Sequence, residues 1–271
     1  MPETPDATET PAAPAARRGQ TVPSVIRATR ILDALAAGPP AASLASLSRR
    51  LGFPRSSTLA LCNSLVETGL LVRDADGSYR LGPHTLELSR AFLGQTDLNS
   101  EFLRAVTEAG FMPTQTVVCS VLRGRDVVYV ARRPGSNPLA VSYDIGLRLP
   151  AHCTASGLAM LAALDDAELD ALYAGVERLE QLTPHSISTL EELRGRLAEA
   201  RRRGYAIDDE ETAPAMLCLG AAVRNDAGAA VGAVAVSMPK GALSEADLAA
   251  DADELRSLAD QISAGLGAPR H

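Results

Sequence analysis

Tryptophan is absent from this 271-residue chain, and all aromatic residues together make up 3% of it. Any core must therefore be built from Leu, Val and Ala, and with apolar residues at 46% there is ample material for one. No apolar run reaches the length of about 18 residues that a membrane helix needs, so no spanning segment is expected. The first residues lack a basic segment leading into an apolar run, so no secretory signal is expected either. Cys62, Cys119, Cys153 and Cys218 stand far apart, with no C-x-x-C pair among them. That excludes a zinc ribbon or dithiol redox motif and leaves too few for a disulfide scaffold. A reduced, cytoplasmic setting fits. A Gly-rich phosphate loop, a G-x-S-x-G elbow and an H-E-x-x-H are all missing, so neither a cofactor nor a metal is expected.

Positive charge is also short, but unevenly so. The net charge is −7. Residues 1–16 carry three acids and no base, and residues 91–271 carry a net −9, whereas residues 17–90 hold ten arginines against five acids. A basic segment on an acidic chain suggests a polyanion partner for that part alone. The length suits two domains.

Residues 1–20 are Pro, Ala, Thr and Glu without apolar periodicity, which reads as a disordered tail ending near Arg17 and Arg18. A helix capped by Ser24 follows, with Val25, Ala28, Ile31, Leu32 and Leu35 on one face, stopped by Gly38-Pro39-Pro40. A second starts near Ser43, and Gly52 suits its left-handed end. A third begins after Pro54, with Leu61, Cys62, Leu65 and Val66 inward and Ser56, Ala60, Asn63 and Glu67 outward. "LLVRDADGSYRLG" then alternates around Asp76-Gly77, a hairpin signal. Three helices and a hairpin make a winged helix-turn-helix over residues 21–82. Residues 83–110 read as a helical linker, broken around 94–99. From 111 to 271, "TVVCSVLRGRDVVYVARR" forms two strands around Gly124, and "LAVSY" another. A helix begins near Thr154, a charged helix ends at "RRRG", and "YAID" is a strand. A hairpin turns at Asn225–Gly228, and a last helix spans about 244–264. The whole is an α+β chain whose second part is an antiparallel sheet flanked by helices.

The third helix has the chemistry of a helix that reads double-stranded DNA. Such a helix presents its N-terminal residues to the major groove, where they must be short and polar. Arg55, Ser56, Ser57 and Asn63 meet that need: Asn pairs with adenine, and Arg with guanine or phosphate. On the hairpin, Arg73 and Arg80 are placed to grip the flanking backbone, with Tyr79 beside them.

The stretch "LSRRLGFPRSSTLALCNSLVETGLLVRDADGSYRLG" resembles the winged helix of IclR-type transcriptional regulators. The blocks "LRLPAHCTASGLAMLA", "RRRGYAIDDEE", "LCLGAAV" and "VAVSMP" follow in that family's order, so the likeness covers about residues 22–266. It implies a GAF-like effector-binding domain, assembly as a homodimer or homotetramer, and a small organic acid as effector. The positions matching the family's pocket are Leu149, Ala155, Ser156, Asp208, Met216, Cys218 and Ser237. First-turn N–H groups around Ala155–Gly157 would cradle a carboxylate. Two departures stand out. Ala60 occupies a mid-helix position where relatives often carry Arg. Ala235 stands where relatives binding very small acids carry a hydroxyl, which implies a more apolar or aromatic acid here.

Rival readings remain at this stage. Cys153 or Cys218 with His152 is the raw material of a thiol enzyme, although adjacent residues such as His152 and Cys153 are expected to point apart. "DDEE", 208–211, reads as a solvated turn with one pocket acid. Alternatively, the second part serves assembly alone and senses nothing.

Overall fold

Pro23, not Ser24, opens the first helix. The computed structural model describes residues 21–95, 97–136, 143–241 and 244–269. The tail 1–20, with Arg17 and Arg18, lies outside them, as does the strand expected at 139–143 except for Tyr143. In helix α1 (Pro23–Ala36) the Pro occupies the first turn, where a missing N–H is harmless. Ser24 caps nothing there, and Val25 is 62% exposed; Ile31, Ala34 and Leu35 form the buried face. The Ser43 hydroxyl accepts from the Ser46 N–H to cap α2 (Leu44–Leu51), and Gly52 closes that helix at φ 68°, a conformation open to glycine. Helix α3 spans Arg55–Glu67.

Strands β1 (Leu71–Arg73) and β2 (Tyr79–Leu81) pair antiparallel with Arg73 opposite Tyr79. The turn between them closes through Gly77 N–H to the Asp74 carbonyl, 2.9 Å. Ile31, Leu35, Leu47, Cys62, Leu65 and Leu71 make the core of this unit. Tyr79 joins them at 1% exposure. It was expected on the surface beside the wing arginines. Its backbone pairs with Ala42, 2.9 Å in each direction, which turns the ring inward.

Helix α4 (His84–Gln95) crosses the point, between Arg90 and Ala91, at which the chain divides into two compact units. Helix α5 (Asp97–Ala109) is core rather than linker: Leu98, Phe102, Ala105 and Val106 are buried in the second unit.

That unit is a six-stranded antiparallel sheet in the order β5-β4-β3-β8-β7-β6. Its strands are β3 (Thr116–Arg123), β4 (Asp126–Arg133), β5 (Arg148–Pro150), β6 (Ala206–Asp209), β7 (Met216–Arg224) and β8 (Ala230–Pro239). Alternation sorts their side chains. Leu219, Ala221, Val223, Val234 and Val236 pack with α5 and with α9 (Glu245–Gly265). The opposite face meets α6 (Ala155–Ala162) and α8 (Leu190–Arg203). Neither the short strand β5, nor the 3-10 turn Ala151–Cys153, nor helix α7 (Asp166–Leu172) was expected. Seven residues leave little periodicity to read in α7. Its start is closed by a capping box: the Asp165 carboxylate accepts from the Glu168 N–H (2.8 Å), and Glu168 accepts from the Asp165 N–H (3.0 Å).

Two glycines set how closely α6 approaches the sheet. A Cβ on Gly220 would stand 2.4 Å from the Ala155 carbonyl carbon and oxygen, and one on Gly157 would stand 2.1 Å from the Ala151 oxygen. These contacts are to backbone, which cannot swing away. We expect Gly220→Ala to lower stability by about 1–3 kcal/mol, the usual range for overpacking, as a drop in urea midpoint. An unchanged midpoint would mean that the α6 start does not rest on β7.

Candidate functional site

The α3 start is left open. Pro54 precedes it and no side chain caps it. The first backbone bond runs from Thr58 N–H to the Pro54 carbonyl at 2.9 Å, and the buried Thr58 hydroxyl donates to the same oxygen at 3.0 Å. The N–H groups of Arg55, Ser56 and Ser57 therefore have no helical acceptor. Arg55, Ser56, Ala60 and Asn63 are exposed, and Ser57 is half-buried. Helices α1 to α3 carry only two acids, Asp33 and Glu67. Arg27 and Arg30 line a groove with Phe53 and Pro54 beside that start, a placement that sequence spacing did not reveal. Arg50 is structural instead, donating to the Ala34 carbonyl at 2.8 Å.

On the wing, Arg73 is exposed and lies over the buried Tyr79 ring, 5.8 Å from its centroid. Arg80, also exposed, donates to Asp74 at 2.9 Å. An exposed pair of this kind contributes little to stability.

In the second unit, register brings three of the expected pocket residues, Asp208, Cys218 and Ser237, into one row. Asp208 lies opposite Cys218, Cys218 opposite Ser237, and Ser237 opposite Thr116. Cys218 Sγ is 3.2 Å from Ser237 Oγ, which donates to the Tyr143 hydroxyl at 3.3 Å. Two residues along β7, over Gly220 and so beside this row, sits the first turn of α6. Thr154 caps it by accepting from Gly157 N–H at 3.0 Å, so Gly157 is not free to cradle an acid. The N–H groups of Ala155 and Ser156 have no partner among the described residues. The Ser156 hydroxyl also has none at 1% exposure, and neither does that of Ser120 at 0%.

Beside these stand Val118, Tyr129, Tyr143 and Ala235, with Leu149 packed against them. The two tyrosine rings tilt across each other at 5.1 Å. Tyr129, Tyr143, Val118 and Ser120 were missed in the sequence. Val118 and Ser120 share the parity of Thr116, but only the pairing of β3 with β8 tells which parity faces α6. Met216 is half-buried at the row's edge.

Asp208 differs from its expected part. Its oxygens accept from Glu211 N–H (2.8 Å), Thr212 N–H (3.1 Å) and the Thr212 hydroxyl (2.6 Å), so it holds its own loop. The "DDEE" turn is not wholly solvated either. Asp209 and Glu210 pair with Lys240 at the surface, but Glu211 is 2% exposed, against Arg196 at 2.7 Å. Its carbonyl is anchored by the Ser186 hydroxyl at 2.6 Å, which pulls the residue inward. Burial pushes the Glu211 carboxyl up to about 8 despite Arg196, and burial raises Asp208 as well.

His152 and Cys153 do not point apart. Both reach the Glu180 carbonyl, at 2.7 and 3.6 Å. Burial pushes the Cys153 thiol up to about 11 and raises Cys218 too, so neither is a thiolate nucleophile at neutral pH. Among the described residues no cluster of His, Cys, Asp and Glu could hold a metal, and no helix is long and apolar enough to cross a membrane.

Residues 24–75 match the model of the IclR helix-turn-helix domain, and residues 90–264 match that of the bacterial transcriptional regulator IclR C-terminal domain. The HTH-type transcriptional regulator XynR of Escherichia coli K12 is 30% identical, over 92% of this chain and 98% of XynR. The crystal structure of the Agobacterium tumefaciens repressor BlcR is similar at 38% identity and TM-score 0.60, over 92% of this chain and 99% of BlcR. The Thermotoga maritima IclR structure aligns at 25% identity and TM-score 0.67, over 90% and 99% of the two chains.

The buried carboxyls make a pH prediction. A group whose folded pKa stands above its unfolded value holds its proton more tightly in the folded chain. Its contribution to stability therefore shrinks as pH rises from the ordinary 4.5 towards about 8. Glu211→Gln removes that slope, while the loss of the Arg196 partner is a constant offset. Thermal melts between about pH 5 and about pH 8 are expected to move in the variant's favour as pH rises. Parallel curves would mean that Glu211 is charged in the folded protein throughout.

Proposed function

The chain belongs to the IclR family of bacterial transcriptional regulators, and from that premise we propose how its two units divide the work. It binds DNA through α3 and adjusts that binding to a small molecule held in the second unit. Arg55 and the open N–H groups of Ser56 and Ser57 take phosphate and groove-edge acceptors, and Asn63 reads a base edge. Arg73 and Arg80 hold the backbone beside the groove, and Arg27 and Arg30 add charge near the same helix start. In a pair of chains, two such helices read half-sites with centres about 34 Å apart or a multiple of it. Leu86 and Leu88 on α4, 72% and 52% exposed, are apolar surface suited to that pairing.

The effector is a small carboxylic acid with an apolar or aromatic body. Its carboxylate accepts from the N–H groups of Ala155 and Ser156 and from the Ser156 hydroxyl. Its body lies among Val118, Tyr129, Leu149 and Ala235, with Tyr143 moving aside. The observation that carries this reading is the buried Ser156 hydroxyl without a partner, since such a group destabilises by about 1–3 kcal/mol until an acceptor or donor reaches it. Coupling of about 1–3 kcal/mol between this site and DNA is the usual scale. Protonated thiols at Cys153 and Cys218 favour this reading over a thiol enzyme.

Fluorescence anisotropy on the DNA upstream of the chain's own gene tests the first unit. Arg55→Ala is expected to weaken binding about tenfold and to reduce the salt slope by about one. Unchanged affinity in Arg55→Ala and in Asn63→Ala would remove α3 from the interface. Thermal melts with a panel of aliphatic and aromatic acids test the second unit: a stabilising acid loses its shift in Ser156→Ala. If no acid shifts the melt, the second unit serves assembly alone.

A further inference from the structure

The second unit carries another recess, a cleft of about 1080 Å³ between the β3–β4 turn and the loop after α7. Two of its lining side chains are buried and unsatisfied. His152 is 4% exposed, and its Nε2 faces the Glu180 carbonyl at 2.7 Å. A carbonyl only accepts, so Nε2 carries the proton and donates. Nδ1 of the neutral ring is then an acceptor, and no donor reaches it among the described residues. Tyr173 is 3% exposed, with a hydroxyl that likewise has no partner. Burial pushes this phenol up to about 12, with Arg125 pulling the other way, so it keeps its proton and can donate.

The rest of the lining carries both signs of charge. Arg123, Arg125 and Arg178 are exposed, and their side chains make no ion pair or hydrogen bond among the described residues. Arg148 is already held by Asp126 at 2.7 Å. Glu177 and Glu180 add carboxylate acceptors. A bare anion would suit the arginines but would bring no donor for His152 Nδ1 and would meet the two glutamates. An apolar acid would leave both buried polar atoms unpaired.

We infer that this cleft is a second binding site, for a small polyhydroxylated acid of the sugar-acid or sugar-phosphate class. The free arginines take the anionic group. Ligand hydroxyls donate to His152 Nδ1 and to the glutamates and accept from the Tyr173 phenol. The 3-10 turn that holds His152 runs into Thr154, the α6 cap. The carbonyl of Cys153 between them accepts from Thr212 at 2.7 Å, so the cleft is built onto the same loop system as the α6 start.

Isothermal titration of the full chain with D-gluconate, glucose 6-phosphate and benzoate tests this. Gluconate or glucose 6-phosphate is expected to bind the native protein, about tenfold or more weaker in the Arg125→Ala/Arg178→Ala double variant. Both arginines are exposed and unpartnered, so the fold survives their removal. Tyr173→Phe, which keeps the ring, weakens the same ligand several-fold. Ser156→Ala leaves that binding unchanged while it reduces any benzoate response, so the two sites are read separately. The inference falls if neither polyhydroxylated acid binds. It falls equally if the binding survives the double arginine variant, or is lost in Ser156→Ala.

Discussion

The close approach of α6 to strand β7 is the constraint on which the second unit turns. With no Cβ at Gly220, the backbone of Ala155 and Ser156 rests on the sheet. That contact buries the first turn of α6 and removes the Ser156 hydroxyl from water without supplying it a partner, while the Gly157 N–H is taken by the Thr154 cap. Unpaired buried donors are unfavourable. They persist because the rest of the unit over-determines them: Thr154 caps the helix, and Leu158 and Leu161 are locked in the core against α8. Arg201 clamps the far end through the Ala162 and Leu164 carbonyls.

Helix α3 poses the same chemistry in water. Both helices begin after a small turn and carry hydroxyl residues in the first turn. In α3 the open N–H groups face solvent, flanked by arginines and few acids, where phosphate is the natural acceptor. In α6 the first turn is buried against the sheet, and the Ser156 hydroxyl has no partner among the described residues. The contrast between the two helix starts lies in their surroundings rather than in their helix sequences. The buried carboxyls Asp208 and Glu211 illustrate the converse: where the chain supplies its own donors, as Thr212 does for Asp208, the group braces its own loop.

Much of this was readable in the sequence because the determinants are local. Pro54, Gly52 and the Asp76-Gly77 turn marked the winged helix, since each acts on its own backbone. Inward residues such as Leu47, Cys62 and Leu65 followed from helical spacing. What misled were residues whose fate depends on distant partners. Tyr79 looked like a surface aromatic until Ala42 paired with it. Glu211 looked solvated until Ser186 and Arg196 drew it in, and Val25 looked buried where no described residue of the first unit covers it. The short elements β5 and α7 are too brief for periodicity to register.

Local signals settled the order of the longer helices and strands and carried the family likeness, because capping, turn and periodicity patterns lie within a few residues of one another. Long-range packing settled which parity of each strand faces α6, which hydroxyls end up buried without partners, and that Tyr129 packs on Tyr143 while His152 and Tyr173 line a cleft elsewhere. Those outcomes depend on strand register and close backbone contact between segments far apart in the chain, and no local pattern encodes them.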